Sequence, residues 1–149
     1  MEDANLFKLI MKPIKIKLTN GFEINNDKDI YLKTIFNNKV KKTSIKKASS
    51  NSKSLVFDNK FITYRSLTEQ DFTEITLELI IMESAEDETL VSRMEINMEQ
   101  FEINKKNRRW WAGYFDSINN TELYIEMEML PENSSSTIFS NPIEGPIVL

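Results

Sequence analysis

Three segments of this chain alternate apolar and polar residues with a period of two. In IKIKL (residues 14–18), Ile14, Ile16 and Leu18 are separated by Lys15 and Lys17. In ITLELII (75–81), Ile75, Leu77, Leu79 and Ile81 fall on one side, Thr76 and Glu78 on the other. In ELYIEMEM (122–129), Leu123, Ile125, Met127 and Met129 alternate with Tyr124, Glu126 and Glu128. Successive side chains of a strand point to opposite faces, so each segment builds a ribbon with one face for a core and one for water. Shorter stretches of the same kind predict strands over 30–36, 40–47, 55–64, 91–98 and 109–115, separated by turn chemistry at NGFEINND, FNNK, SSNSK, SLTEQD, ESAEDE and DSINNT. Eight half-apolar strands bury their apolar faces by stacking in two layers, which predicts an all-β, eight-stranded antiparallel sandwich. A helix is expected only over 98–106, where NMEQFEINKK lacks turn residues. Residues 1–11 read as an N-terminal extension, 12–130 as the domain, and 131–149, rich in Ser, Pro and Asn, as an extended C-terminal tail ending in apolar Ile147, Val148 and Leu149.

At 149 residues the chain suits one domain with its own core. It contains no His and no Cys. That removes thiol and imidazole nucleophiles, histidine bases, Cys/His zinc sites and His-ligated haem. Catalysis by Asp58 or Asp71 lacks a second positioned group, so no enzyme and no cofactor are expected. The N-terminal apolar run is broken by Lys8 and Lys12, and neither a signal peptide nor a membrane span is read there. Charge is divided unevenly: residues 1–65 carry 14 Lys and Arg against 6 Asp and Glu, and residues 66–149 carry 5 against 17. Either the chain presents opposite faces to partners, or basic and acidic strands lie side by side and pair.

The stretch SLVFDNKF (54–61) opens a strand with an aromatic, an acid, an amide and a second Phe. It resembles the N-P-x-W-N-E-x-F signature of C2 domains, with Phe57 for Trp, Asp58 and Asn59 for the polar pair, and Phe61 for the final Phe. Further elements follow in C2 order. KDIYLK (28–33) is similar to S-D-P-Y-V-K, LELIIMES to the strand entering the third loop, and LVSRMEINMEQF to F-I-G-x-x-x-I-x-L-x-x-L with Ser92 for Gly. RRWWAGYFD and TELYIEMEML are similar to the last two strands. The resemblance spans about residues 12–130 and implies a C2-like sandwich in which Phe57 and Phe61 point inward.

It also implies where a calcium site would lie. Calcium takes six to eight oxygen ligands, supplied in C2 domains by carboxylates of the first and third loops. Here Glu23, Asp29 and Glu83 occupy such positions, with Asp27 or Asn25 as substitutes in the first loop, while Ala85 and Thr89 replace loop-three acids. The resemblance therefore implies a degenerate site and no calcium dependence. In lipid-binding relatives the third-strand region carries lysines for phosphoinositide headgroups, which nominates Lys33, Lys39, Lys41, Lys42, Lys46 and Lys47. Alternation sets Lys39 and Lys41 on one face and Lys42 and Lys46 on the other. Nucleic acid is not expected, since no arginine or interleaved aromatic accompanies these lysines. Of Trp110 and Trp111 only one can face the core, leaving the other for a protein interface together with Ile147, Val148 and Leu149. Two roles are expected of a cytoplasmic, cytoskeleton- or membrane-associated C2-like module. It is either a docking subunit of a larger protein assembly, or a peripheral adaptor on anionic phospholipid.

Overall fold

The computed structural model describes residues 6–24, 27–48, 53–58 and 60–134. They form ten strands: β1 Phe7–Leu18, β2 Lys28–Phe36, β3 Lys39–Lys42, β4 Lys46–Ala48, β5 Ser54–Val56, β6 Ile62–Leu67, β7 Glu74–Ser84, β8 Asp87–Asn97, β9 Lys106–Phe115 and β10 Ile118–Pro131. All pairings are antiparallel, in the order β3-β2-β7-β8-β9-β10-β1-β5, with β4 also on β2 and β6 also on β1. Between β8 and β9 the ladder is reduced to one register pair, Arg93 with Tyr114. The sheet folds over there into two layers, β3-β2-β7-β8 and β9-β10-β1 with β5 and β6.

The core between the layers is the set that the alternation marks. Ile75, Leu77 and Leu79 of β7 and Leu123, Ile125 and Met127 of β10 are at most 1% exposed. Each such side chain contributes roughly 1.5–3 kcal/mol by leaving water. The outward residues make a charge lattice in which acids of one strand meet bases of its neighbours. Glu126 of β10 takes two hydrogen bonds from Arg108 of β9, at 3.0 and 2.7 Å, and stands in register with Lys12 of β1. Glu78 of β7 is bound by Arg93 at 2.8 Å and faces Lys33 at 3.8 Å. Pairs that join the basic first half of the chain to the acidic second half are Lys28 with Glu83, Lys33 with Glu78 and Arg65 with Glu132, while Arg93 and Arg108 meet acids of their own half.

Several expectations are revised. Residues 7–11, expected to precede the domain, are the first part of β1 and bury Phe7, Leu9 and Met11. The strands expected over 40–47 and 55–64 are each broken in two, so eight become ten. No helix forms over 98–106. The Asn97 side chain accepts the Glu99 N–H, Met98 N–H bonds Thr73 O, Asn104 takes φ 66°, and Phe101 and Ile103 fold onto the core. A short polar side chain competing for backbone bonds in this way favours a turn over a helix. Phe57 is buried as the C2 signature implies, but Phe61 lies on the outer face of the second layer with Ile10 and Leu130.

Tight turns follow their sequence signals. Asn37 and Asn38 between β2 and β3, and Asp116 and Ser117 between β9 and β10, all adopt positive φ. Two consecutive left-handed residues make the type I′ geometry that matches strand twist.

Candidate functional site

Strand β3 lies on the open edge of the first layer, and β6 runs beside β1 in the second. Tyr64 of β6 crosses the gap between them. It is 1% exposed, its hydroxyl lies 2.6 Å from Thr34 Oγ1 of β2, and its ring meets Phe36 edge-on at 5.2 Å. Burial pushes the Tyr64 hydroxyl above its ordinary pKa, so it stays neutral and hydrogen-bonded. Thr34 therefore sits inward because it supplies the partner that a buried phenol requires.

Above this tie lies a groove of about 500 Å³ bordered by Lys39, Lys41, Lys42, Phe61, Thr63, Tyr64, Arg65 and Ser66. Lys41 is held over the Tyr64 ring at 5.1 Å and donates to Thr63 O at 2.5 Å. Arg65 pairs with Glu132 at 2.8 Å, and the same carboxylate accepts the Ser66 N–H, where φ is 59°. Those bonds hold the Glu132 carboxyl below the usual range, the Ser66 N–H contributing most. Next to the groove is a smaller cleft of about 100 Å³, lined in part by Lys42, Ser44, Lys46, Asp58 and Lys60. There Asp58 accepts the Ser44 hydroxyl at 3.0 Å and faces Lys46 at 3.8 Å.

Of the six nominated lysines, Lys39, Lys41 and Lys42 border the groove and Lys46 the cleft. The Lys42 ammonium lies over the Tyr31 ring at 5.0 Å, outside the main core. Burial, together with the nearby Glu88 and Glu78 carboxylates, pushes the Tyr31 hydroxyl up to about 12. Lys33 and Lys47 are elsewhere, paired with Glu78 and Asp29. Arg65 and Lys60 were not anticipated. Arg65 lies one residue past the end of the expected strand, where continued alternation from Ile62 and Tyr64 would have turned it to solvent.

The carboxylates of the calcium positions do not converge. Ser84 pairs with Asp87, so the third loop is reduced to a two-residue turn at Ala85 and Glu86. Glu83 is bound to Lys28 at 2.6 Å, Asp29 faces Lys47 at 3.7 Å, and Glu23 is exposed in the first loop. Among the described residues no three acidic groups come together to hold a metal ion. Glu23, Asp29 and Glu83 as placed do not fit calcium, and Asn25 lies outside the described residues. Asp71 caps a single 3-10 turn by accepting from the Thr68 N–H and hydroxyl.

Trp111 packs on the core beside Phe101, at 6.1 Å. Trp110 is on the other face, tilted on Tyr124 at 5.0 Å and covered by Lys17 at 4.5 Å. Ile147, Val148 and Leu149 lie outside the described residues.

The chain is similar to several solved structures. A C2 domain-containing protein from a putative elicitor-responsive gene superposes with a TM-score of 0.69 at 12% identity, over 92% of this chain and 97% of that one. The fold is that of a C2 domain. A C2 domain of plant extended synaptotagmin 1 gives 0.69 at 9% identity, over 90% of this chain and 100% of the other. Human GIVD cytosolic phospholipase A2 gives 0.64 at 12% identity over 89% of this chain, which spans only 18% of that enzyme's chain. No family model matches the chain, and no curated protein sequence does so significantly. No helix among the described residues is long and apolar enough to cross a membrane.

Proposed function

We propose that this C2 fold is a non-catalytic, calcium-independent module that docks on anionic membrane through the groove between β3 and β6, taking a phosphate-bearing headgroup. The observation that carries this is Lys41, held by Thr63 O and the Tyr64 ring in a groove that Lys39 and the Glu132-paired Arg65 also border. A cation already held in place loses little rotamer freedom on binding, and each basic residue near an anionic surface adds on the order of 1 kcal/mol. Calcium independence is supported by the lysines that occupy Glu83 and Asp29. The test is co-sedimentation with phosphatidylcholine vesicles with and without phosphatidylinositol 4,5-bisphosphate, in calcium and in chelator. Binding should need the phosphoinositide, ignore calcium, and be lost in Lys41→Glu with Arg65→Glu. Binding that needs calcium, or that survives the double substitution, refutes the proposal.

The second reading, a docking subunit of a protein assembly, is favoured by the β9–β10 hairpin. Tyr114, Phe115 and Ile118 are 50%, 50% and 62% exposed beside an acidic turn residue. Apolar side chains grouped at a hairpin tip suit a protein contact. Affinity isolation with Phe115→Ser and Ile118→Ser set against the native chain tests it. Loss of co-purifying subunits is the expected result, and an unchanged set refutes this reading.

A further inference from the structure

Between β3 and β4 the chain leaves the sheet for three residues, Thr43, Ser44 and Ile45. Thr43 is committed to the fold. Its hydroxyl accepts the Leu32 N–H at 2.9 Å and donates to Ser44 O at 3.2 Å, while its own N–H bonds Leu32 O. Ser44 is exposed, and its hydroxyl reaches the Asp58 carboxylate at 3.0 Å. It is preceded by exposed Lys41 and Lys42 and followed by Ile45, 56% exposed. Among the described residues, strand β3 has no neighbour on its outer side. An extended edge segment with two cations before an accessible hydroxyl and a bare apolar side chain after it is the form that an acidic kinase cleft takes up.

We infer that Ser44 is a phosphorylation site for a lysine-directed serine kinase, and that its phosphate switches off the anion-binding groove. In the transfer, Ser44 Oγ attacks the γ-phosphorus of MgATP. The Oγ–P bond forms as the bond from that phosphorus to the β–γ bridging oxygen breaks. ADP leaves with the electron pair, and the hydroxyl proton passes to a carboxylate of the kinase. The hydroxyl leaves Asp58 for this step. The product adds about 1.5 to 2 negative charges to a cleft whose lysines, Lys42, Lys46 and Lys60, outnumber its single aspartate by two. Repelled by Asp58, the phosphate draws these lysines onto itself. The cleft adjoins the main groove, the two sharing Lys42, Phe61 and Ile62 in their walls, so the added negative charge repels an anionic headgroup there. The switch rests on the membrane reading above; the modification does not.

The experiment treats the full chain with MgATP and the catalytic subunit of cAMP-dependent protein kinase, locates phosphate by peptide mass mapping, and repeats the vesicle assay in chelator. One phosphate on Ser44, none there in Ser44→Ala, and binding weakened at least about tenfold are expected. Ser44→Glu, made without kinase, should also weaken it. Phosphate absent from Ser44 overturns the site. Phosphate on Ser44 with vesicle binding unchanged overturns the switch alone. An unmodified chain that ignores phosphoinositide vesicles while Ser44 is phosphorylated overturns the membrane reading and the switch, and leaves the modification standing.

Discussion

Gly113 is where the two layers meet, and replacing it with Ala tests whether that joint is as closely built as its geometry requires. A Cβ there would overlap Thr121 Oγ1 outright and lie 2.6 Å from Ser92 Oγ and 2.7 Å from Met94 Sδ. Thr121, Ser92 and Met94 are all fully buried, so none can swing into solvent. The backbone at Gly113 is not left-handed, and the requirement is one of space alone. Overpacking of this kind costs about 1–3 kcal/mol. The displaced hydroxyls also belong to a buried network, with Ser92 2.6 Å from Thr121 and 2.7 Å from the Asn120 side chain. Losing one such bond without a substitute partner costs a further ~1–3 kcal/mol. A total near 3 kcal/mol, with a urea slope of about 2 kcal/mol per molar, lowers the unfolding midpoint by roughly 1.5 M. Urea titration followed by far-UV circular dichroism measures this. Thr121→Ala removes the nearest clashing atom, so the double variant should lose less than the sum of the two single ones. A midpoint for Gly113→Ala within about 0.3 M of the native value, beyond the extrapolation error, would refute the reasoning.

Tyr64→Phe removes the tie to Thr34 and should cost about 0.5–1.5 kcal/mol in thermal unfolding, with the strands otherwise intact. Glu126→Gln discharges an acid only 3% exposed between Arg108 and Lys106. Because Arg108 is partly solvated, a loss of roughly 1–3 kcal/mol is expected, read from the same urea titration. Glu132 has its pKa lowered from 4.5 in the folded chain, so its contribution is present above that value and is lost as pH falls through the folded pKa. Glu132→Gln should flatten that part of the acid limb in a stability-against-pH series and leave the neutral region parallel to native; an unchanged acid limb refutes the linkage.

What was legible in the sequence was what period two encodes. The alternation of β7 and β10 marked both the strands and the core residues, because a one-residue slip would have exposed Leu77, Leu79, Ile125 and Met127 together. The Asn37–Asn38 and Asp116–Ser117 turns were legible for the same kind of reason, few residues tolerating positive φ. The illegible parts are those where a distant group decides. Thr34 breaks the apolar run of β2 for a hydroxyl thirty positions away, at Tyr64. Phe61 turns outward because Ile10 and Leu130 present an apolar patch on a face otherwise charged. Lysine count alone could not separate Lys41 from Lys33, since their difference lies in what faces them: a carbonyl and a ring for one, Glu78 for the other.

The placement of charge also decides how such a module would lie on a membrane. The turns between β1 and β2, β7 and β8, and β9 and β10 share one end of the sandwich, and they carry Glu23, Asp27, Glu86 and Asp116, all exposed. Approach through that end would press these acids against anionic lipid, with Lys28 and Lys47 already occupied by Glu83 and Asp29. Approach through the flank would bring Lys39 and Lys41 to the surface, with Arg65 and its partner Glu132, and leave the acids of the turns in water, where salt screens them within about 8–10 Å. The flank is also the side on which β3 ends the sheet among the described residues, and exposed lysines on such an edge disfavour pairing with a second strand.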